Sequence, residues 1–184
     1  MFITKKSYYL YIDNTKTINL NLLKKPYKFT IIYRTLILKE SIKKIKLFRK
    51  KCNQKKINFY VANDYNLAKK CKANGLYLSS KNNKIYHNID VIGSAHNYKQ
   101  INQKIKQKCK VILLSRLFKT TYLNKKSFFG ILKFNLIINN YKFPIIPLGG
   151  IRNNNLLKMK LVNSEGLAIL SEIKKKPAIS SRLF

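Results

Sequence analysis

Two adjacent glycines, Gly149 and Gly150, follow an apolar run at 143–148 in a chain that has only six glycines among its 184 residues. A backbone without side chains can bring its N–H groups close to an anion. The three asparagines at 153–155 predict the start of a helix that faces the same place, and helix N-termini attract anions. The pattern indicates a phosphate-binding turn, with an ordinary glycine turn as the alternative.

Polar residues also end the other apolar runs. These residues are Asp13, Arg34, Asn63 with Asp64, Ser79 with Ser80, Ser94 with His96, Thr120 with Thr121, and Ser171 with Glu172. Each alone is a weak signal, because Asn, Asp, Ser and Gly are good turn formers. Asp64 is in addition a good N-cap for a helix at 65–73. Their shared position at the ends of the runs indicates a site.

The apolar runs themselves predict the elements that position these residues. Continuous β-branched and aromatic stretches are typical of strands that are buried on both faces. Eight such stretches occur, at 8–12, 29–34, 58–63, 75–79, 90–96, 110–118, 143–149 and 166–170. Helical spacing lies between several of them, as in Ile45, Phe48 and Cys52, with further helical candidates at 128–138 and 156–161.

Eight strands with intervening helices predict a single α/β domain over residues 1–184, folded as a (β/α)8 barrel. An open doubly wound sheet is the alternative. The connections 13–28 and 80–89 are short for full helices, and 174–184 is predicted to be a tail. Because a barrel of this kind carries its reactive face at the carboxyl ends of the strands, we expect one rim to gather Arg34, Asp64, Ser94, Thr120, Gly149 and Ser171.

The chain carries 39 Lys and Arg against six Asp and Glu, a formal net charge of +33. The basic residues occur in every part of the sequence without forming one block, which favours a solvated basic surface. An RNA-binding protein is the alternative. Stacking on nucleic-acid bases requires exposed aromatic side chains, and most of the 22 Phe and Tyr lie inside apolar runs. We therefore expect nucleic acid to bind only non-specifically.

Metal-site and targeting signals are weak. The three cysteines, Cys52, Cys71 and Cys109, lack the spacing of a zinc site, and only His87 and His96 are available to complete one. No apolar run approaches the length of a membrane span, roughly 18 residues. The sequence predicts a cytoplasmic protein with reduced thiols and no membrane partner. Its oligomeric state is left open.

Five segments in order, YVANDYNLAKKCKANGLYLSS, VIGSAH, ILLSRLFKTT, FPIIPLGGI and EGLAILSEI, resemble the thiamine phosphate synthase/TenI family of (β/α)8 barrels. The similarity covers approximately Tyr8 to Ile173 and is greatest to the short proteobacterial members. It implies an enzyme of thiamine biosynthesis, a transferase. The reaction of this family joins hydroxymethylpyrimidine diphosphate to thiazole phosphate, through a pyrimidine carbocation, and releases pyrophosphate.

The resemblance also implies roles for individual residues. Arg34 would hold the diphosphate leaving group, and Asp64, beside Asn63, would ligate Mg²⁺. Ser94 and Thr120 match hydroxyls that bind the diphosphate. Gly149, Gly150 and Ser171 match the thiazole phosphate site.

Some family residues are missing. The second metal-binding Asp aligns with Asn82, and the histidine of the sister tautomerase activity aligns with Ser115 and Arg116. Three hypotheses therefore stay open: an active synthase, a catalytically degenerate barrel that binds thiamine-related phosphates, and an RNA-binding basic protein.

Overall fold

The structure is a computed structural model that describes residues 5–35, 40–120 and 127–169. Every predicted strand is present. The strands are β1 Ser7–Ile12, β2 Phe29–Tyr33, β3 Asn58–Ala62, β4 Gly75–Leu78, β5 Asp90–Ala95, β6 Val111–Ser115, β7 Ile145–Leu148 and β8 Gly166–Ile169. Strand β6 ends at Ser115 although its apolar run continues to Phe118, so the strand pattern overestimates its length.

The strands form a closed barrel in which each is parallel to its neighbours. Strand β1 pairs with β2 and also with β8, where Ser7 lies opposite Gly166 and Leu10 opposite Ile169. Closure excludes the open doubly wound sheet and confirms the barrel. All carboxyl ends of the strands consequently lie at one end of the molecule.

Within residues 5–35, 40–120 and 127–169, four α-helices pack outside the barrel. They are α1 Ile42–Gln54, α2 Tyr65–Lys70, α3 Tyr98–Lys106 and α4 Gly130–Asn139. Helix α1 buries Ile45, Phe48 and Cys52, which are spaced three and four residues apart and therefore share one face. Its many lysines occupy the opposite, solvated face.

Several connections lack an α-helix. The β1–β2 connection contains only two 3-10 helices, Leu20–Leu22 and Pro26–Lys28, and the β4–β5 connection, 79–89, contains no helix. Both agree with the predicted shortness of these segments. The candidate helix at 156–161 is instead part of a longer 3-10 helix, Asn153–Leu161.

The core has two layers. One lies inside the barrel and is formed by Tyr9, Tyr11, Ile32, Tyr60, Tyr77, Ile92, Leu113, Ile146 and Ala168. The other lies between barrel and helices and includes Phe59 and Phe134. Strands that face both layers have no solvated side, which explains why they are continuously apolar in sequence.

The cysteines are free and buried. Burial raises the pKa of Cys52 to about 12 and that of Cys109 to about 11, so both thiols are protonated at neutral pH. No helix in the described ranges is long and apolar enough to cross a membrane.

Candidate phosphate-binding site

The carboxyl-end rim of the barrel carries the predicted site residues that the structure describes. Arg34 follows β2, Asn63 and Asp64 follow β3, Ser94 lies within β5, and Gly149 follows β7. Thr120 lies further along, in the connection after β6. Ser171 is outside the described residues. The parallel closed topology thus places residues that are distant in sequence at the same end of the barrel.

The end of β3 is held in a defined conformation by Asn63. Its φ of 57° lies in the left-handed region, which asparagine tolerates better than most residues. The Asn63 Oδ1 accepts hydrogen bonds from the Ser79 backbone N–H at 2.9 Å and from Asn82 Nδ2 at 3.2 Å. The ends of β3 and β4 are therefore joined through one amide side chain.

Asp64 caps helix α2, as its sequence position predicts. Its Oδ1 accepts a hydrogen bond of 2.8 Å from the Leu67 N–H, and the residue is exposed. Asn82, the residue at the family's second metal-binding position, uses its Oδ1 to accept from the Lys84 N–H at 2.9 Å. Its side chain is a neutral amide that offers no negative charge to a cation, and its nitrogen donates to Asn63.

A Mg²⁺ site at this rim stays a prediction, with Asp64 as its one assigned carboxylate. Mg²⁺ is commonly bound by one or two carboxylates together with substrate phosphates and water. In the described residues no cluster of three His, Cys, Asp or Glu occurs. Asp13 also follows a strand on this rim, but Thr17 Oγ1 donates to its carboxylate at 2.9 Å. Asp64 is the more accessible of the two carboxylates, because the residue is exposed and Leu67 is its only hydrogen-bond donor in the described residues.

Arg116 adds a cation to the rim that the sequence did not identify as a ligand. It directly follows β6, and its Nη1 donates to Thr120 Oγ1 at 3.3 Å while Nη2 donates to the Ser127 carbonyl at 2.7 Å. Ser94 is buried, with 5% of its surface exposed. His96 Nδ1 lies 3.0 Å from the Ser115 carbonyl oxygen. The position of Arg116 at the end of an apolar run is the sequence feature that could have identified it as a rim residue.

The glycine pair after β7 is required by the protein's own packing. Both residues have positive φ, 94° at Gly149 and 72° at Gly150. A Cβ at Gly150 would collide with the backbone carbonyl of Phe118. A Cβ at Gly149 would meet Arg116 Cγ at 3.0 Å, and the approach of an anion to the N–H groups of the pair stays a prediction. A side chain is thus excluded at Gly150 by neighbouring backbone, whereas at Gly149 it is disfavoured by the positive φ and would need Arg116 to shift slightly.

The turn is further fixed by hydrogen bonds to both glycine carbonyls. The Phe118 N–H donates to Gly149 at 3.1 Å, and Asn155 Nδ2 donates to Gly150 at 2.7 Å. Asn155 Oδ1 in turn accepts from the Arg152 N–H at 2.8 Å. Arg152 is the last residue before the 3-10 helix Asn153–Leu161, which contains Asn155. Backbone at this end of β7 is therefore rigid, which favours a preformed binding turn.

Tyr11 lies inside the barrel below the rim. The residue is 2% exposed, and its hydroxyl has no hydrogen-bond partner in the described structure. The Tyr77 ring stands edge-on to the Tyr11 ring, with 5.4 Å between the two ring centroids. Burial and Tyr77 raise the pKa of Tyr11 well above 10, against the opposing positive charge of Arg34. The interior of the barrel thus contains a buried polar atom without a partner, within the electrostatic influence of Arg34.

Comparison with known proteins identifies the class. The family model described as thiamine monophosphate synthase matches residues 2–173. A solved thiamine phosphate pyrophosphorylase from Pyrococcus furiosus is similar, with a TM-score of 0.75 and 17% identity over 96% of this chain and 94% of that one. KGPDC from Streptococcus mutans has a TM-score of 0.66 and 12% identity, over 98% and 95% of the two chains. No curated protein matches the sequence.

The closed parallel barrel with a polar carboxyl-end rim defines a (β/α)8 barrel protein. Within that class, the chain belongs to the thiamine monophosphate synthase family.

Proposed function

We propose that this protein couples hydroxymethylpyrimidine diphosphate to thiazole phosphate and releases pyrophosphate. The observation that carries the proposal is the family match over residues 2–173. In the reaction the carbon–oxygen bond to the diphosphate breaks, and a carbon–nitrogen bond to the thiazole ring forms. The electron pair of the broken bond leaves with pyrophosphate, and the thiazole nitrogen supplies the pair for the new bond.

The leaving group is assigned to the β2, β5 and β6 side of the rim. The Arg34 guanidinium carries a permanent positive charge and can donate two parallel hydrogen bonds to phosphate oxygens. Ser94 and Thr120 add hydroxyl donors, and Arg116 beside Thr120 adds a second guanidinium. Fixed positive groups at this point stabilise charge as it develops on pyrophosphate.

Asp64, with Asn63 beside it, is the residue we assign to Mg²⁺. A bound Mg²⁺ would neutralise part of the diphosphate charge. Arg34 and Arg116 also neutralise diphosphate charge. The site therefore depends less on Mg²⁺, and fewer carboxylates are needed to hold the ion. Gly149, Gly150 and Ser171 are assigned to the thiazole phosphate.

A binding protein without turnover is the second candidate. The Asn82 side chain favours it, because this residue replaces a family carboxylate and its amide is hydrogen-bonded to Asn63. In this role the barrel would bind thiazole phosphate or a related phosphate and release no pyrophosphate.

The test combines calorimetry with a pyrophosphate-release assay. Arg34→Gln should reduce diphosphate affinity and turnover by about tenfold or more, since charged hydrogen bonds contribute roughly 1.5–3 kcal/mol. Arg49→Gln on helix α1 is the matched control and should leave both unchanged. Thiazole phosphate binding without pyrophosphate release in the natural sequence would establish the second candidate. Failure to bind either substrate would reject both.

A further inference from the structure

Lys104 on helix α3 is a buried cation with no carboxylate partner among the described residues. None of its surface is exposed, although it lies in a segment where lysines are otherwise solvated. Its Nζ donates to the Ser79 carbonyl at 2.8 Å, the Asn82 carbonyl at 2.7 Å and Gln107 Oε1 at 2.9 Å. These three bonds use every N–H of the ammonium group. Lysine side chains are seldom fully buried without a carboxylate partner, so a lysine bound by three neutral oxygens is unusual.

The carbonyl groups that Lys104 binds belong to the β4–β5 connection, which contains no helix. Gln107 completes the attachment, because its Nε2 donates to the Asn82 carbonyl at 3.0 Å and to the Lys84 carbonyl at 2.7 Å. Lys104 of α3 and Gln107, the residue directly after its end, therefore satisfy the backbone of a segment that lacks regular structure of its own. Without them these carbonyls would need water.

The same connection positions the end of β3. Ser79 and Asn82, whose carbonyls are bound by Lys104, are the two residues that donate hydrogen bonds to Asn63. A continuous series of hydrogen bonds thus runs from the Lys104 ammonium group to the residue that precedes Asp64.

Space for the lysine is provided by β5. A Cβ at Gly93 would lie 2.7 Å from Lys104 Cδ, so any larger residue there would displace the side chain. Gly93 and Cys109 flank the lysine stem, and the ammonium group reaches past them to the carboxyl end of β4. Strand β5 therefore leaves room for this side chain on its helix-facing side, since the neighbouring Ile92 faces the barrel interior.

We propose that Lys104 is a positioning residue of the candidate site, which fixes the β4–β5 connection and, through Ser79 and Asn82, the conformation of Asn63 and Asp64. The effect on substrate rests on the proposed function, whereas the effect on the connection does not. A purely structural role would lower global stability. A positioning role changes the connection and the diphosphate half of the site selectively.

Lys104→Met tests this inference, because methionine fills much of the same space without the ammonium group. Amide hydrogen exchange at Ser79, Asn82 and Lys84 should accelerate about tenfold, since the charged hydrogen bonds to the connection are lost. Exchange in β1 and α1 should be unchanged. Lys106→Met, an exposed lysine on the same helix, is the matched control and should change neither region.

Ligand binding gives the second readout. Pyrophosphate with Mg²⁺ should bind about tenfold more weakly to Lys104→Met, while thiazole phosphate binding at the β7 side should be retained. Gln107→Leu should give a smaller effect in the same direction and serves if Lys104→Met does not fold. Unchanged exchange at 79–84 would overturn the inference, as would an equal loss of both ligands. If the natural sequence binds neither ligand, the proposed function fails and the exchange result alone decides the positioning role.

Discussion

At the scale of single residues, most of the predicted site lies where parallel strands must bring it. Strand ends could be located from sequence, so Arg34, Asn63, Asp64 and Ser94 could be assigned to one rim. Lys104 could not be found in this way, because a lysine in a lysine-rich helix is indistinguishable from a solvated one by composition. Only its spacing of three residues from buried Ile101 indicates the inner face.

The unpaired hydroxyl of Tyr11 gives a prediction at this scale. Leaving a buried polar group unpaired costs about 1–3 kcal/mol, so Tyr11→Phe should raise the free energy of unfolding by about 1 kcal/mol in urea denaturation. Tyr33→Phe is the control with the opposite sign, because the Tyr33 hydroxyl donates to Glu40 Oε2 at 3.1 Å.

The same Tyr11 variant also tests whether ligands use this hydroxyl. If Tyr11→Phe is more stable alone but binds substrate more weakly, the hydroxyl contacts the ligand. A loss of stability in the ligand-free protein would show that Tyr11 has a partner after all, and would contradict the geometry described above.

At the scale of elements, strands were easier to predict than their connections. A strand buried on both faces leaves a continuous apolar run, and all eight runs correspond to strands. The 3-10 helix Asn153–Leu161 shares its apolar spacing with an α-helix, so the pattern did not distinguish the two. The turn at Gly150 was predicted as an anion site, but its lack of a side chain is explained by contact with Phe118, which no local pattern reveals.

The glycine turn gives a prediction at the scale of elements. Gly150→Ala should destabilise the protein by about 2 kcal/mol or more, because left-handed backbone costs a residue with a Cβ roughly 1–2 kcal/mol and the collision with Phe118 adds to this. Gly130→Ala is the matched control. Gly130 has a φ of 70° but nothing within 4 Å of a Cβ, so only the backbone cost applies. Thermal unfolding of both variants measures the difference, and equal losses would show that the Phe118 contact is unimportant.

At the scale of the whole molecule, charge repulsion opposes the compact state. The net charge is +33, and the salt bridges found in the described residues are two exposed pairs, Lys6 with Glu165 and Lys110 with Asp90. Exposed pairs of this kind contribute little to stability. The buried apolar layers must therefore hold the fold against an uncompensated positive surface.

Salt should accordingly stabilise this protein. The Debye length falls from about 30 Å at 0.01 M salt to about 10 Å at 0.1 M, which screens repulsion between separated lysines. The melting temperature should rise over this range, equally in sodium and potassium chloride. Acetylation of the exposed lysines should flatten the dependence. A melting temperature that is independent of salt would indicate that repulsion between lysines contributes nothing.

The contact between Gly93 and Lys104 also restricts the order in which this sequence could have changed. A long side chain could enter position 104 only while position 93 had no Cβ, because both occupy the same space beside β5. Once Lys104 had bound the β4–β5 connection, any larger residue at 93 would have displaced it. The constraint has one direction: position 93 cannot gain a side chain while Lys104 keeps its place, whereas a shorter side chain at 104 needs no change at 93.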